Sequence, residues 1–278
     1  AGHLIGFDTV FMQAWRVREK VMWLSERITG NRKTYGMIII GGVRRDIGPE
    51  VRADIEGVLA ALKKEVLTLK NAVIGDGAIH RRTKGVGYLS KEETARWSLI
   101  GPVARARGLK LDTRKDHPYA AYDDMAFDVP VVDSGDVWGT LVVRVLEIFE
   151  SIAILRQALA RMPEGPLMAD MPEALPPLRH AVSMVEAPRG ESVHYVITGE
   201  ENRPERWRVR APTYPNLQAV PAMLLDNQFA DFPIILGQID PCFSCTDRVA
   251  VIDARSGAKR VVGRTELERL SRGADGKE

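Results

Sequence analysis

The sequence predicts an α+β fold, a multihelical core carrying a small antiparallel β part, and three observations lead there. Apolar residues recur at three- and four-residue steps over long stretches of the first half, the period of helices that bury one stripe. In the second half, Val193–Ile197 and Arg206–Arg210 are short strand-like runs on either side of the turn-rich Gly199–Pro204, the pattern of a β-hairpin. Proline and glycine gather between these stretches, at 163–166 and 172–177, where the helical character gives way.

Taken in order, Phe7, Val10, Phe11, Ala14, Val17, Val21, Leu24 and Ile28 form one stripe of a helix that Gly30-Asn31 ends. Met37–Ile40 is a short apolar run before Gly41-Gly42, where the chain turns tightly or passes close to a neighbour. A second helix begins near Pro49, whose missing N–H costs little in a first turn, and Val51, Ile55, Val58, Leu62, Val66 and Leu69 mark its inner face. Glycines at 75, 77, 85 and 87 break any long element there, and Ser90-Lys91-Glu92-Glu93 reads as a capping box opening a short helix to about Leu99. Residues 101–133 show no sustained period. Leu141, Val145, Ile148, Ile152, Leu155, Leu159 and Met162 then alternate steps of four and three, a heptad seam that predicts a long helix over Asp136–Met162 inside a multi-helix core.

Past Pro166, a proline-rich passage and Ala181–Ala187 lead to the hairpin. Asn216 is placed to cap a helix over Leu217–Leu225, and Phe232–Leu236 is a short apolar approach to the chain's two cysteines. Beyond residue 248, Val249–Asp253 and Lys259–Val262 read as paired strands around Arg255-Ser256-Gly257, and Thr265–Glu268 as another capping box. The chain therefore divides into a main unit over 1–248, helical over 1–166 and β-containing over 167–248, and a C-terminal extension over 249–278.

Composition removes several function classes. With 278 residues the chain is long enough to bury a substantial core, and 39 basic against 37 acidic residues leave a formal charge of +2, with no basic run interleaved with aromatics, so nucleic acid is not an expected partner. Two cysteines do not make a disulfide framework and fit a reducing compartment. Apolar stretches are interrupted by charge well short of the roughly 20 residues a membrane helix needs, so membrane attachment is expected only through partners. His3, His80, His117, His180 and His194 show no ligand spacing, and Asp123, Asp124 and Asp128 lack the glycine and glutamate of a calcium loop.

The two cysteines, Cys242 and Cys245, stand at C-x-x-C spacing within Ile239-Asp240-Pro241-Cys242-Phe243-Ser244-Cys245-Thr246-Asp247-Arg248. A pair so spaced can place two sulfurs on one metal or close as one disulfide, and spacing alone leaves both open. The surrounding residues carry more. Asp240–Arg248 resembles the C-terminal cluster-binding motif of nickel-iron hydrogenase large subunits, in the energy-converting branch that includes the formate hydrogenlyase large subunit. Glu186-Ala187-Pro188-Arg189-Gly190-Glu191 is similar to that family's active-site arginine motif, and Phe7–Phe11 and Gly41–Ile47 to its helical core. Gly101–Arg105 and Phe127–Pro130 are shared with the 49 kDa catalytic-arm subunit of respiratory complex I, a relative that lacks the cysteines.

The resemblance implies a nickel-iron centre whose iron carries cyanide and carbon monoxide, with Cys242 a terminal nickel ligand and Cys245 a bridge. It implies Arg189 beside the open coordination position and Asp240 orienting that arginine through a bidentate contact. Arg44, Arg45 and Asp46 read by themselves as a solvated charged turn, and the resemblance implies instead a buried ion-paired network there, near the cluster or a subunit interface, with a packed surface segment near partner subunits over 101–133. Because the family's first C-x-x-C lies upstream of the region matched by Gly2, it implies the C-terminal part of a longer subunit, inactive alone and holding no cofactor by itself. The implied partners are a small iron-sulfur subunit that carries the electrons, other complex I-like soluble and membrane subunits, maturation proteins, and an endopeptidase cutting after Arg248. The implied location is the cytoplasm, peripheral on the inner membrane. The alternatives are a quinone-module subunit of the complex I type without nickel and a non-catalytic assembly subunit.

Overall fold

The computed structural model describes residues 3–246, 249–253 and 255–274. Three long helices make the frame: α1 (Asp8–Thr29), α2 (Pro49–Gly75) and, further on, α7 (Val137–Arg161). Each is bounded for a local reason. Gly30 closes α1 in the left-handed conformation at φ 80°, Pro49 occupies the first turn of α2, and the Asp136 side chain accepts from the Gly139 amide at the start of α7. Between α1 and α2 lies a small ribbon, β1 (Ile38–Ile39) with β2 (Gly42–Val43), where a Cβ on Gly42 would stand 2.0 Å from the Leu167 carbonyl oxygen.

Short helices connect the frame: α3 (Gly77–Thr83), α4 (Lys91–Arg96), α5 (Gly101–Arg105) and α6 (Thr113–Asp116) before α7. After α7, β3 (His180–Ala187), β4 (Gly190–Thr198) and β5 (Pro204–Arg210) form one antiparallel sheet in sequence order. Then come α8 (Thr213–Gln218), α9 (Val220–Leu224) and α10 (Phe232–Gln238), and finally the ribbon β6 (Val249–Ile252) with β7 (Lys259–Val262) and helix α11 (Arg264–Ala274).

Two apolar clusters share α7. Its C-terminal half brings Ile152 and Leu159 against Val17 and Leu24 of α1 and Ile55, Leu59 and Leu62 of α2. Its first residue, Val137, joins Val103 of α5, Met223 of α9 and Ile234 and Ile235 of α10 in the second cluster. Burial of such side chains contributes roughly 1.5–3 kcal/mol each, so α7 ties the two clusters into one fold.

Several expectations need correction. The heptad seam is not one continuous contact: Ile152 and Leu159 are buried, but Ile148 is 38% and Leu155 47% exposed, because the helix changes neighbours along its length and its buried face shifts. Residues 101–107 are not a surface segment; Val103, Ala104, Arg105, Ala106 and Arg107 are buried, since α5 packs under α7. Arg44, Arg45 and Asp46 lie exposed in a solvated turn rather than in a buried ionic network. Asn216 is not a cap but a buried residue inside α8, and Thr265 falls within α11 rather than ahead of it. At α4, Ser90 Oγ does accept from the Glu93 amide at 3.2 Å. The hairpin carries a third strand, β3, which shows little alternation in the sequence because its outer half is exposed on both faces.

Candidate functional site

The site is assembled from three parts of the chain. The first is the two-residue turn Pro188-Arg189, which joins β3 to β4 directly after the Ala187–Gly190 pair. This turn lies on the N-terminus of α5, and two glycines allow it: a Cβ on Gly101, at φ +68°, would stand 2.3 Å from the Arg189 carbonyl oxygen, and Gly190 sits at φ +124°. Asn216, with 0% exposure, clasps the same place. Its Oδ1 accepts from the Ile100 amide at 3.1 Å, and its Nδ2 donates to the carbonyls of Ile100 at 3.3 Å and Arg189 at 3.5 Å.

The second part is the cysteine turn. α10 ends at Gln238, and Asp240 bends the chain with φ 52°, the left-handed region in which an aspartate is tolerated better than most residues. Cys242 donates its amide to Thr213 Oγ1 at 3.1 Å, the Cys245 amide donates to the Cys242 carbonyl at 3.0 Å, and Thr246 Oγ1 donates to that carbonyl at 3.2 Å. This places both cysteines on one tight turn, closed as a disulfide with Cα atoms 5.3 Å apart.

Arg189 joins the two parts. Its Nε donates to the Asp240 carbonyl oxygen and lies 3.2 Å from Asp240 Oδ2. The contact is therefore one N–H shared between a backbone and a side-chain oxygen, not the bidentate fork expected from sequence. The third part is Arg144, from α7. Its guanidinium is 3.8 Å from the same Asp240 Oδ2, and it donates to the Gln238 carbonyl at 3.3 Å and the Pro188 carbonyl at 3.5 Å. Burial lowers the Arg144 pKa from its ordinary value, against the opposing pull of Asp240 and Glu147. A cavity of about 230 Å³ opens beside these groups, lined by Thr140, Leu141, Arg144, Gly237, Gln238 and Asp240.

Behind the hairpin turn lies a buried ionic cluster. Arg105, 2% exposed, donates to Glu147 at 2.7 Å, to Glu186 at 2.9 Å and to the Leu111 carbonyl at 2.7 Å. Glu186, on β3, also accepts from the Thr113 amide at 3.1 Å. Burial raises the Glu147 pKa despite Arg105. Burial pushes Asp112 up as well, but the hydrogen bond and charge of Arg114, with Arg105 beyond, more than offset it and leave its carboxyl below the ordinary range. Arg107 is buried on the carbonyls of Val103 and Gly87, and desolvation pushes its pKa down to about 10.

The four residues expected from sequence thus lie on two adjoining turns, with Arg189 on Asp240 and the cysteines directly after it. Arg248, the expected cleavage point, lies outside the described residues. Arg144 and Thr213 carry no signal of their own in the sequence, and Asn216 reads there only as a helix cap. Arg144 sits off the heptad seam on what reads as a solvated helix face, and only the crossing of α7 with the hairpin turn brings it to Asp240.

The description "Respiratory-chain NADH dehydrogenase, 49 Kd subunit" belongs to the family model that matches residues 5–184 and 173–248. Formate hydrogenlyase subunit 5 of Escherichia coli K12 is 39% identical over 271 residues, covering 98% of this chain and 48% of that protein. The carbon monoxide-induced hydrogenase of Rhodospirillum rubrum is 39% identical over 250 residues, 88% of this chain and 68% of the relative. An NADH-quinone oxidoreductase chain of Dehalococcoides mccartyi is 34% identical over 242 residues, 87% of this chain and 66% of the relative. The chain spans about half the length of the first of these relatives.

Proposed function

The chain belongs to the family of the respiratory-chain NADH dehydrogenase 49 Kd subunit, in the branch of the energy-converting hydrogenase large subunits, and on that premise we propose that its cysteine turn forms half of a nickel-iron centre that interconverts H₂ with protons and electrons. The observation that carries the reading is the meeting of Arg189 with Asp240, two residues ahead of a pair of cysteines held on one turn.

The donors fit such a centre in part. Thiolates are soft, charged ligands suited to nickel and iron, and Cys242 and Cys245 in their reduced form supply two of them. Among the described residues no group of three or more His, Cys, Asp or Glu is gathered to hold a metal, so the remaining ligands come from outside this set. When bound, the centre supplies the cleavage of H₂ into two protons and two electrons. The chain's own residues do the positioning. Thr213 and the turn of hydrogen bonds around Cys242 fix where the sulfurs stand. Arg189 contributes a positive charge on the adjoining turn, held by Asp240, and a guanidinium is a poor general base and a good electrostatic partner.

Electrons pass to an iron-sulfur partner subunit, and the assembly includes complex I-like soluble and membrane subunits, with maturation proteins and an endopeptidase acting after Arg248. Among the described residues no helix is long and apolar enough to cross a membrane. In this reading the chain sits peripherally on the cytoplasmic face, attached through those partners. With two thiols in 278 residues, the chain by itself is read as unable to turn over H₂.

The test is metal analysis with infrared spectroscopy on the full-length subunit, matured in its host and purified with its small partner. Stoichiometric nickel and iron with cyanide and carbon monoxide bands, lost in Cys242→Ser and Cys245→Ser, are the expected result. A fully assembled complex with neither metal nor bands overturns the reading and moves the protein to the quinone-oxidoreductase or assembly class.

A further inference from the structure

Arg144 is a charged side chain on α7 that reaches both the arginine turn and the segment leading to the cysteines. Its three contacts fall on Pro188, the residue before Arg189; on Gln238, the last residue of α10; and on Asp240, the carboxylate that Arg189 also uses. We propose that Arg144 is a positioning residue for the proposed reaction, clamping the arginine turn to the cysteine segment so that Asp240 and Arg189 hold one geometry; the inference rests on the hydrogenase reading for its catalytic consequence, and on this chain's contacts for the clamp itself.

The Asp240 carboxylate is about half exposed and has two guanidiniums within reach, Arg189 at 3.2 Å and Arg144 at 3.8 Å. With only one of them, the carboxylate would be free to swing into a closer fork on Arg189 or out to water, since an exposed ion pair by itself contributes little and defines little. The second guanidinium removes that freedom because it is anchored elsewhere, by two backbone carbonyls from different segments. Its anchorage is rigid: α7 is the helix shared by both apolar clusters, and the guanidinium is the planar group able to serve several oxygens at once. Two carboxylates, Asp240 and Glu147, and two further guanidiniums, Arg189 and Arg105, face Arg144, and removing Arg144 leaves Asp240 answering to Arg189 alone. A surface arginine serving only helix solubility would not commit its donors to two loop carbonyls.

The experiment uses the native complex containing the full-length subunit, with Arg144→Gln, Arg144→Lys and Asp240→Asn alone and combined. A displacement of about 1 Å in a reacting site costs on the order of 100-fold in rate, so Arg144→Gln is expected to lower H₂-dependent dye reduction by about that factor with little change in KM. Arg144→Lys, a point charge without the fork, is expected to recover about 10-fold of it. The double variant Arg144→Gln/Asp240→Asn is expected to be no worse than the weaker single variant, the signature of two groups acting as one unit. Independent of turnover, hydrogen exchange should rise about 10-fold at the amides of residues 189–190, 238–240 and 242–245 in Arg144→Gln, with the midpoint of thermal unfolding unchanged. Turnover within twofold of the native complex, or fully additive losses in the double variant, overturns the proposal. So does an exchange increase spread evenly along α7 with a lowered midpoint, which marks a structural role. If the unmodified complex shows no H₂-dependent activity, the hydrogenase reading fails, and the exchange measurement still decides whether Arg144 clamps the two turns.

Discussion

Replacing Gly101 by alanine tests whether the arginine turn is held by close backbone approach. The added Cβ would meet the Arg189 carbonyl oxygen at 2.3 Å and the Gly190 Cα at 2.6 Å, against 3.4 Å for ordinary contact, so the turn must retreat by about 1 Å. Both obstacles are backbone, which cannot swing aside as a flexible side chain does. The residue also sits at φ +68°, where a Cβ costs about 1–2 kcal/mol before any clash. Adding about 1–3 kcal/mol for overpacking gives an expected loss of about 2–5 kcal/mol in urea unfolding. The displaced turn should also break the Asn216 bond to the Arg189 carbonyl, so amide exchange at Arg189 and Gly190 should accelerate more than exchange in α1 or α2. Gly57→Ala is the internal control: that glycine lies within α2 with nothing within 4 Å of its added Cβ, and the same substitution should there add about 0.5–1 kcal/mol of stability. A Gly101→Ala protein that unfolds within about 0.5 kcal/mol of the parent, with unchanged exchange at the turn, would refute the reasoning.

Buried polar groups supply two more tests. Asn216→Ala removes the acceptor of the Ile100 amide and the donor to two carbonyls in a fully buried place, and should cost about 2–3 kcal/mol in the same unfolding assay, whereas a cap on an exposed helix end would cost about 1 kcal/mol. Asp112 has a pKa held below its ordinary 3.8 in the folded chain, so the unfolded state takes up its proton first as pH falls. The stability it contributes is complete above that ordinary value and is lost as pH drops through the folded value. Asp112→Asn should therefore be destabilised by about 3 kcal/mol at pH 7, and its deficit relative to the parent should close in unfolding curves taken below about pH 4; a deficit constant from pH 7 to pH 3 would contradict the assignment.

The sequence by itself determined the elements whose cause is local. The 3.6-residue spacing from Phe7 to Ile28 and the proline at 49 are enough to place α1 and α2, because an apolar stripe and a first-turn proline act within a few residues of themselves. The closeness of Cys242 and Cys245 has a local cause as well: a C-x-x-C pair brings its sulfurs together where the chain turns between them. What only the tertiary structure decided are the contacts made between segments far apart in the chain. Arg144 reads as a solvated position on a heptad helix until α7 crosses the hairpin turn, and Asn216 reads as a cap until α8 is buried against Ile100 and Arg189. Residues 101–107 carry no period, yet they are buried, because α5 is too short to show a stripe and is enclosed by elements distant in the chain. A side chain's neighbours along the chain are written in the sequence, whereas its neighbours in space depend on how the helices cross, and at this site the crossing of α7 over the arginine and cysteine turns is what brings Arg144, Arg189 and Asp240 together.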